Sequence, residues 1–109
     1  MDRHHPGEFE QVVLLAVLQL RDEAWPVAIR EEIQRRTGRG VARGALYTGL
    51  ERLEGKGLLR SRNGPRRADR AGRPRRYFEV TAGGLEALRQ AQRALQKMRH
   101  GLESLLDER

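Results

Sequence analysis

The chain has 109 residues and a formal net charge of +7, with 22 lysines and arginines, 15 acidic residues and no cysteine. This length corresponds to one domain, and the lack of cysteine excludes disulfides, thiolate metal sites and a cysteine nucleophile. No apolar run reaches the roughly 18 residues of a membrane span, and the polar N-terminus is not a signal peptide. We therefore expect a cytoplasmic protein with no membrane partner.

The positive charge is concentrated in one segment. Residues 60–76 contain eight arginines and a single acid, Asp69, and the rest of the chain is neutral. A local patch of this sign is typical of a surface that binds a polyanion. The alternative is a solvated surface in a chain that uses arginine throughout, but a general bias would not leave the remainder neutral.

The first helix is predicted over Glu8 to Leu20, where apolar residues cover more than one stripe. Such a helix is buried on more than one side. One side can face the domain core and the other a partner subunit, with simple burial in one subunit as the alternative. Pro26 suits the first position of a second helix, which Gly38 ends. Trp25 precedes that helix as either a core anchor or a candidate contact for a planar ligand.

The third helix is predicted within Val41 to Gly57. Leu46, Leu50 and Leu53 fall on one face at helical spacing. Off that face lie residues that donate hydrogen bonds or carry positive charge, namely Arg43, Tyr47, Thr48 and Arg52. A helix with one face for the core and one for such groups has what insertion into a DNA major groove requires.

Two features near the start of this helix concern its exposed face. Ala42 occupies the capping position and cannot accept a hydrogen bond, which leaves the first-turn amides available to water or a phosphate. We expect Arg43 to contact a phosphate or a base edge. Gly44 and Gly49 each cost roughly 1 kcal/mol of helix propensity. They either let the backbone approach DNA closely or allow tight helix packing.

Two short strands are predicted next, Leu58 to Arg62 and Arg75 to Val80, joined by turn residues and an arginine-rich tip. Phe78 is expected to share one face with Val80, and Tyr77 the other face with Glu79. Arginine at such a tip suits phosphate contact or a narrow minor groove. The candidate DNA contacts in this hairpin are Arg66, Arg67, Arg70, Arg73, Arg75 and Arg76.

Thr81 is the expected N-cap of a last helix that extends to Asp107. Leu88, Ala91, Leu95, Met98, Leu102 and Leu105 are spaced alternately three and four apart, as in a heptad seam. A helix of roughly 40 Å is too long to be covered by the rest of one small domain. We expect it to pair with a second subunit, with packing on its own first helix as the alternative. The predicted dimer contacts are Phe9, Val13, Val17, Leu88, Leu95, Met98, Leu102 and Leu105.

The predicted fold is therefore α+β and mostly α. It consists of a winged helix-turn-helix DNA-binding domain over residues 1–80 and a long C-terminal dimerisation helix over residues 81–109.

Two motifs carry a family resemblance. VARGALYTGLERLEGKGLL, from Val41, is followed by GRPRRYFEVT, from Gly72. Together they resemble the PadR family of bacterial transcriptional regulators, and the similarity extends from about Glu8 to the C-terminus. The single terminal helix resembles the short-tailed branch. The chain departs from the family at Ala42-Arg43, where a capping Ser or Thr followed by Pro is common.

The resemblance implies a function as well as a fold. It implies DNA binding, a dimer to which the first helix contributes and, in some members, aromatic ligands at the dimer interface. With the residue patterns, this predicts a homodimeric, sequence-specific transcriptional regulator on double-stranded DNA, by resemblance a repressor acting on a palindromic operator. The operator, the regulated gene and the effector cannot be read from the sequence.

Two other functions remain open. One is a small-molecule-sensing protein whose hydrophobic dimer interface binds planar aromatic compounds. The other is a nonspecific nucleic-acid-binding protein, for which Tyr47 and Tyr77 are the only candidates for base stacking.

An enzyme is not expected, because the chain has three histidines, no cysteine and no phosphate-binding glycine loop. Glu51 and Glu54 are expected to form surface pairs with Arg52 or Lys56. No cofactor or metal ligand set is expected.

Overall fold

A computed structural model describes residues 5–64 and 74–107. The elements in these ranges are α1 (Glu8–Leu20), a short 3-10 helix (Arg21–Glu23), α2 (Pro26–Thr37), α3 (Arg43–Gly55), β1 (Leu59–Asn63), β2 (Arg76–Val80), α4 (Ala82–Arg99) and α5 (Glu103–Leu106). The two strands form an antiparallel hairpin directly after α3. The predicted mostly helical winged helix-turn-helix fold is confirmed.

The ends of α2 and α4 follow local signals in the sequence. Pro26 begins α2, where its missing amide proton is not needed, and Gly38 ends that helix with a φ of 73°. The hydroxyl of Thr81 accepts a hydrogen bond from the Gly84 amide at 2.9 Å and donates to the Gly57 carbonyl at 2.7 Å. Thr81 therefore caps α4 and also fastens it to the turn after α3.

The core lies around α1, which contacts α2, α3, α4 and β2. Each element contributes apolar side chains from one face, as expected for a small domain built in layers. The largest fully buried side chains include Leu14, Ile29, Ile33, Leu46, Leu50, Leu53, Leu59 and Phe78.

The hairpin is bound to the helical part through a backbone hydrogen bond of β2. The Phe78 amide donates to the Ala24 carbonyl at 2.9 Å, which joins β2 to the segment before α2. Phe78 is buried and Glu79 is exposed. Tyr77, expected on the same face as Glu79, is only 3% exposed. The Arg62 guanidinium lies 5.0 Å from the centroid of the Tyr77 ring and helps to cover it.

The last helix is shorter than predicted. α4 ends at Arg99, and the single turn α5 follows after a break at which Gly101 has a φ of 89°. Glycine adopts this left-handed conformation readily, whereas an α-helix cannot pass through it. The prediction of one continuous helix to Asp107 is therefore wrong.

The predicted dimer contacts are divided between the core and the surface. Val13, Val17 and Leu88 are less than 5% exposed because they face the core of their own chain. Their burial within the single chain favours a role in its core over contact with a second subunit. The four others on the C-terminal segment are 54, 78, 43 and 79% exposed, in the order Leu95, Met98, Leu102 and Leu105.

Within residues 5–64 and 74–107, no helix is long and apolar enough to cross a membrane. The same ranges contain no group of three His, Cys, Asp or Glu side chains that could hold a metal ion.

Candidate nucleic-acid interface

The outer face of α3 is the first part of the interface. The helix buries Leu46, Gly49, Leu50 and Leu53. Because an α-helix turns by about 100° per residue, Gly44 lies opposite the centre of this buried face. Arg43 and Tyr47 lie along the edge nearer the hairpin, and Arg52 lies along the edge nearer α1. All of the predicted contacts on α3, namely Arg43, Gly44, Tyr47, Thr48 and Arg52, are exposed.

The first turn of α3 presents positive charge to solvent. Ala42 makes no side-chain cap hydrogen bond, and the turn contains no acidic residue. The Arg43 guanidinium lies 5.9 Å from the ring centroid of Tyr47, within the range of a cation–π contact, and 39% of Tyr47 is exposed. The positive end of the helix dipole adds to this charge.

Gly44 and Gly49 have different surroundings. A Cβ atom at Gly49 would lie 3.2 Å from Cε2 of Phe9, whereas one at Gly44 would have no heavy atom within 4 Å. Tight packing against Phe9 therefore accounts for Gly49. At Gly44 no neighbouring group covers the backbone on the outer face of α3. Phe9, predicted as a dimer contact, is half-buried and packs against α3.

The hairpin meets α3 through Arg76, which was predicted to bind DNA. The Arg76 guanidinium donates to Glu51 at 3.1 Å, to Glu54, and through Nε to the Ser61 hydroxyl at 3.0 Å. Ser61 in turn donates to Glu54 at 2.7 Å. We call these four residues the hairpin clamp.

Glu51 and Glu54 were expected to pair with Arg52 or Lys56, but the ion pairs that the described residues show for both are with Arg76. Neighbouring residues on a helix do not face each other, so Glu51 and Arg52 point in different directions. Lys56 instead donates to Glu10 of α1 at 2.7 Å. The sequence analysis missed Glu54 and Ser61 as parts of the interface. The one signal available was a pair of acids three residues apart on a helix followed by a strongly basic hairpin.

The Lys56–Glu10 pair connects the end of α3 to the start of α1. Burial opposes the charged form of Glu10, but hydrogen bonds from Lys56 and from the Gly7 amide outweigh it. The pKa of Glu10 is therefore below its ordinary value of 4.5. The ionised carboxylate thus supports the position of α3 against α1.

Arg75 is stacked on Trp25. Its guanidinium carbon lies 3.7 Å from the centroid of the Trp25 ring, a close cation–π contact. Its Nε is buried with no hydrogen-bond partner among the described residues. The half-buried Trp25 ring therefore carries Arg75 on one face, and a planar ligand on that face would have to displace it.

The remaining aromatic and arginine side chains of the hairpin are in part buried or paired and in part outside the described residues. Tyr77 is buried and is not available for base stacking, which leaves Tyr47. Arg66, Arg67, Arg70 and Arg73 lie outside the described residues. Of the arginines in β1, Arg60 pairs with Glu79 across the hairpin at 2.6 Å.

Comparison with known proteins gives one family-model match and several similar solved structures. The family model described as the transcriptional regulator PadR-like family matches residues 14–90. A PadR family transcription regulator from Clostridium difficile R20291 superposes with a TM-score of 0.72 at 19% identity, covering 91% of this chain and 99% of that one. A PadR family transcriptional regulator from Eggerthella lenta DSM 2243 gives a TM-score of 0.67 at 28% identity, covering 94% and 88%.

A third structure, a PadR-like transcriptional regulator from Bacillus cereus, gives a TM-score of 0.70 at 20% identity, with 93% of each chain covered. A search of curated proteins found no match. The match to the family model extends over well more than half of the chain and includes α2, α3 and the hairpin. The chain belongs to the PadR-like family of transcriptional regulators.

Proposed function

We propose that this protein is a homodimer that binds a specific DNA sequence by placing α3 in the major groove. One observation carries the proposal: the exposed face of α3 combines Arg43, Tyr47, Thr48 and Arg52 around the bare backbone of Gly44. Arginine, threonine and tyrosine can donate hydrogen bonds to base edges or phosphates. The absence of an acid in the first turn means that phosphates are not repelled there.

The hairpin is proposed to follow the DNA backbone beside α3. Eight arginines between residues 60 and 76 supply the charge for this role. Phosphate or minor-groove contacts are assigned to Arg66, Arg67, Arg70 and Arg73. Arg75 is stacked on Trp25 and is a weaker candidate for direct contact.

Dimerisation is proposed through the C-terminal segment, residues 81–109. Five large apolar side chains there are more than 40% exposed: Leu95, Met98, Leu102, Leu105 and Leu106. Burying so many exposed apolar side chains against a second copy of the chain would be energetically favourable. A two-fold dimer would read a palindromic operator with half-sites roughly 34–36 Å apart. Repression is the sign of regulation that the family resemblance favours.

Fluorescence anisotropy tests the proposal. Wild-type protein is titrated onto duplex DNA from upstream of its own gene and onto a scrambled duplex, at two salt concentrations. We expect at least about a hundredfold preference for the native duplex. The affinity should fall steeply with salt, because each neutralised phosphate contributes about −0.9 to the log–log slope.

Two arginine variants make the test specific to α3. Arg43→Ala should weaken binding to the native duplex by about tenfold, the loss of one good base or phosphate contact. Arg89→Ala removes the same charge from the first half of α4, six residues before Leu95, where Arg89 pairs with Glu86 at 3.8 Å, and should leave the preference unchanged. Equal affinity for both duplexes would instead favour nonspecific nucleic-acid binding, and a salt slope near zero would contradict both functions.

A further inference from the structure

We infer that Arg76 is a positioning residue that sets the hairpin against α3, and not a ligand of a DNA phosphate, with Glu54 as its main anchor. The inference deepens the proposed DNA-binding function and rests on it. The clamp itself is a property of the free protein, so part of the test needs no DNA.

The hydrogen bonds of Arg76 argue for this role. Each of its three guanidinium nitrogens has an acceptor within the chain: Ser61 for Nε, Glu51 for one terminal nitrogen and Glu54 for the other. The Arg76 guanidinium carbon also lies 4.9 Å from the ring centroid of Phe78, a core residue. A guanidinium held by three acceptors and an aromatic ring is restricted in orientation and is poorly placed to reach a phosphate.

The two glutamates do not contribute equally. The Glu51 side chain is 63% exposed, and a pair with so exposed a carboxylate is weak in water. The Glu54 side chain is 27% exposed and accepts from both Arg76 and Ser61. It therefore joins α3 to both strands of the hairpin, through charge-assisted hydrogen bonds that are partly shielded from solvent.

The hairpin clamp lies next to the arginine-rich segment, so it can affect how that segment is positioned. Arg76 is opposite Asn63, and the next residues of the two strands, Gly64 and Arg75, are still joined by a hydrogen bond of 2.7 Å. The clamp is therefore expected to set the direction of the hairpin just before residues 65–73. Its neighbour Arg75 is stacked on Trp25, the only tryptophan, so a shift of this end of the hairpin would alter the surroundings of Trp25.

The clamp predicts an effect of opposite sign to that of simple electrostatics. Removing a carboxylate beside a DNA-binding face should strengthen binding to every duplex, because one repulsive charge is lost. If Glu54 instead holds the hairpin in place, its removal frees the hairpin from α3. Preference for the native duplex over the scrambled one should then fall although the net charge becomes more positive.

The experiment compares Glu54→Ala with Glu79→Ala. Each variant removes one carboxylate that pairs with an arginine of the hairpin: Glu54 pairs with Arg76, and Glu79 pairs with Arg60. The Arg60–Glu79 pair lies between β1 and β2 and does not involve α3, so Glu79→Ala is the matched control. Alanine is a better helix former than glutamate, so a loss in Glu54→Ala cannot come from the propensity of α3. Two quantities are measured: the ratio of affinities for the two duplexes, and the quenching of Trp25 fluorescence by acrylamide without DNA.

We expect Glu54→Ala to lower the affinity ratio by about fivefold or more, which corresponds to ~1 kcal/mol. It should also change the quenching of Trp25. Glu79→Ala should leave both quantities as in the wild type. In the double variant Glu54→Ala with Arg76→Gln, the second change should add little, because both residues act through one contact.

Three results would overturn the inference. One is unchanged Trp25 quenching in Glu54→Ala. Another is tighter binding of Glu54→Ala to both duplexes with an unchanged ratio. The last is an Arg76→Gln protein whose only defect is a salt slope reduced by about 0.9, the mark of one lost phosphate contact. If the wild type fails to discriminate between the duplexes while Glu54→Ala alone alters Trp25 quenching, the clamp stands and the proposed function fails.

Discussion

Gly84 lies so close to Leu58 that a Cβ atom at Gly84 would be 2.1 Å from the Leu58 carbonyl oxygen. The first turn of α4 therefore crosses directly against the backbone at the start of β1, at a separation that no side chain allows. Thr81 fixes the same crossing through its two hydrogen bonds.

This contact predicts a large effect of Gly84→Ala. The added methyl group meets backbone rather than a flexible side chain, so α4 has to move, and the free energy of unfolding should fall by about 3 kcal/mol. For a chain of this size the melting temperature should fall by roughly 10 °C or more, as measured by circular dichroism. Gly83→Ala is the matched control, because its Cβ would have only ordinary contacts of 3.8 and 3.9 Å. If the two variants melt alike, the close crossing of α4 and β1 is contradicted.

Gly44→Ala should separate stability from DNA binding. A Cβ at Gly44 enters open space, so alanine should stabilise the protein by about 0.5–1 kcal/mol through helix propensity alone. The methyl group would also keep DNA from the backbone at the centre of the outer face, and affinity for the native duplex should fall. Thermal melting and anisotropy on the same preparation check both signs. Higher stability with full affinity would show that DNA does not approach α3 at Gly44.

The Glu10–Lys56 pair should make stability depend on acid pH. The pKa of Glu10 is below 4.5 in the folded protein, so its contribution is complete above the unfolded value and is lost as the pH falls through the folded value. Between about pH 5 and pH 3, urea unfolding should show a steeper loss of stability for the wild type than for Glu10→Gln.

Glutamine retains an acceptor for the Gly7 amide, which isolates the effect of the charge. Glu8→Gln serves as control, since the Glu8 side chain is 75% exposed and its ion pair with Arg39 contributes little. Parallel pH profiles for Glu10→Gln and the wild type would contradict the assignment.

Substituting Met98 and Leu105 by glutamate should convert the proposed dimer to a monomer. Both side chains are more than three-quarters exposed in the single chain, so the fold should persist while the apolar contact is lost. Sedimentation velocity measures the oligomeric state and circular dichroism the helix content. The double variant should also bind the native duplex more weakly, because the two half-sites are no longer engaged together.

A comparable change outside the apolar positions provides the control for this variant. Gln96→Glu adds a negative charge at an exposed polar position of α4 and should leave the association state unchanged. A double variant that sediments like the wild type would show that the C-terminal segment does not hold the subunits together.

Much of the local structure could be predicted from the sequence, because its signals act over a few residues. Pro26 and Gly38 bound α2, Thr81 caps α4, and the spacing of leucines in α3 defines its buried face. The same spacing placed Arg43 and Tyr47 on the exposed side. Each of these depends on the geometry of one helix or one cap, which the order of residues specifies directly.

The partners of individual side chains were decided only by the tertiary structure. Periodicity shows that Val13 and Val17 lie on an apolar face of a helix. It does not show whether that face packs against the core of its own chain or against a second subunit, because both surfaces are apolar; in the structure both residues lie in the core. Glycine in a helix is compatible with close packing or with close approach of a ligand, and only the position of Phe9 assigns Gly49 to packing.

Arg76 shows the same limit for charged residues. The sequence determined that this protein has a winged helix-turn-helix fold and carries its positive charge in one hairpin. It left open which of those arginines is held by the chain itself, because an ion pair between elements depends on how they pack. The tertiary structure brings Arg76 to Glu51 and Glu54 across the gap between β2 and α3. That contact joins residues more than 20 positions apart, a distance at which no local pattern in the sequence carries information.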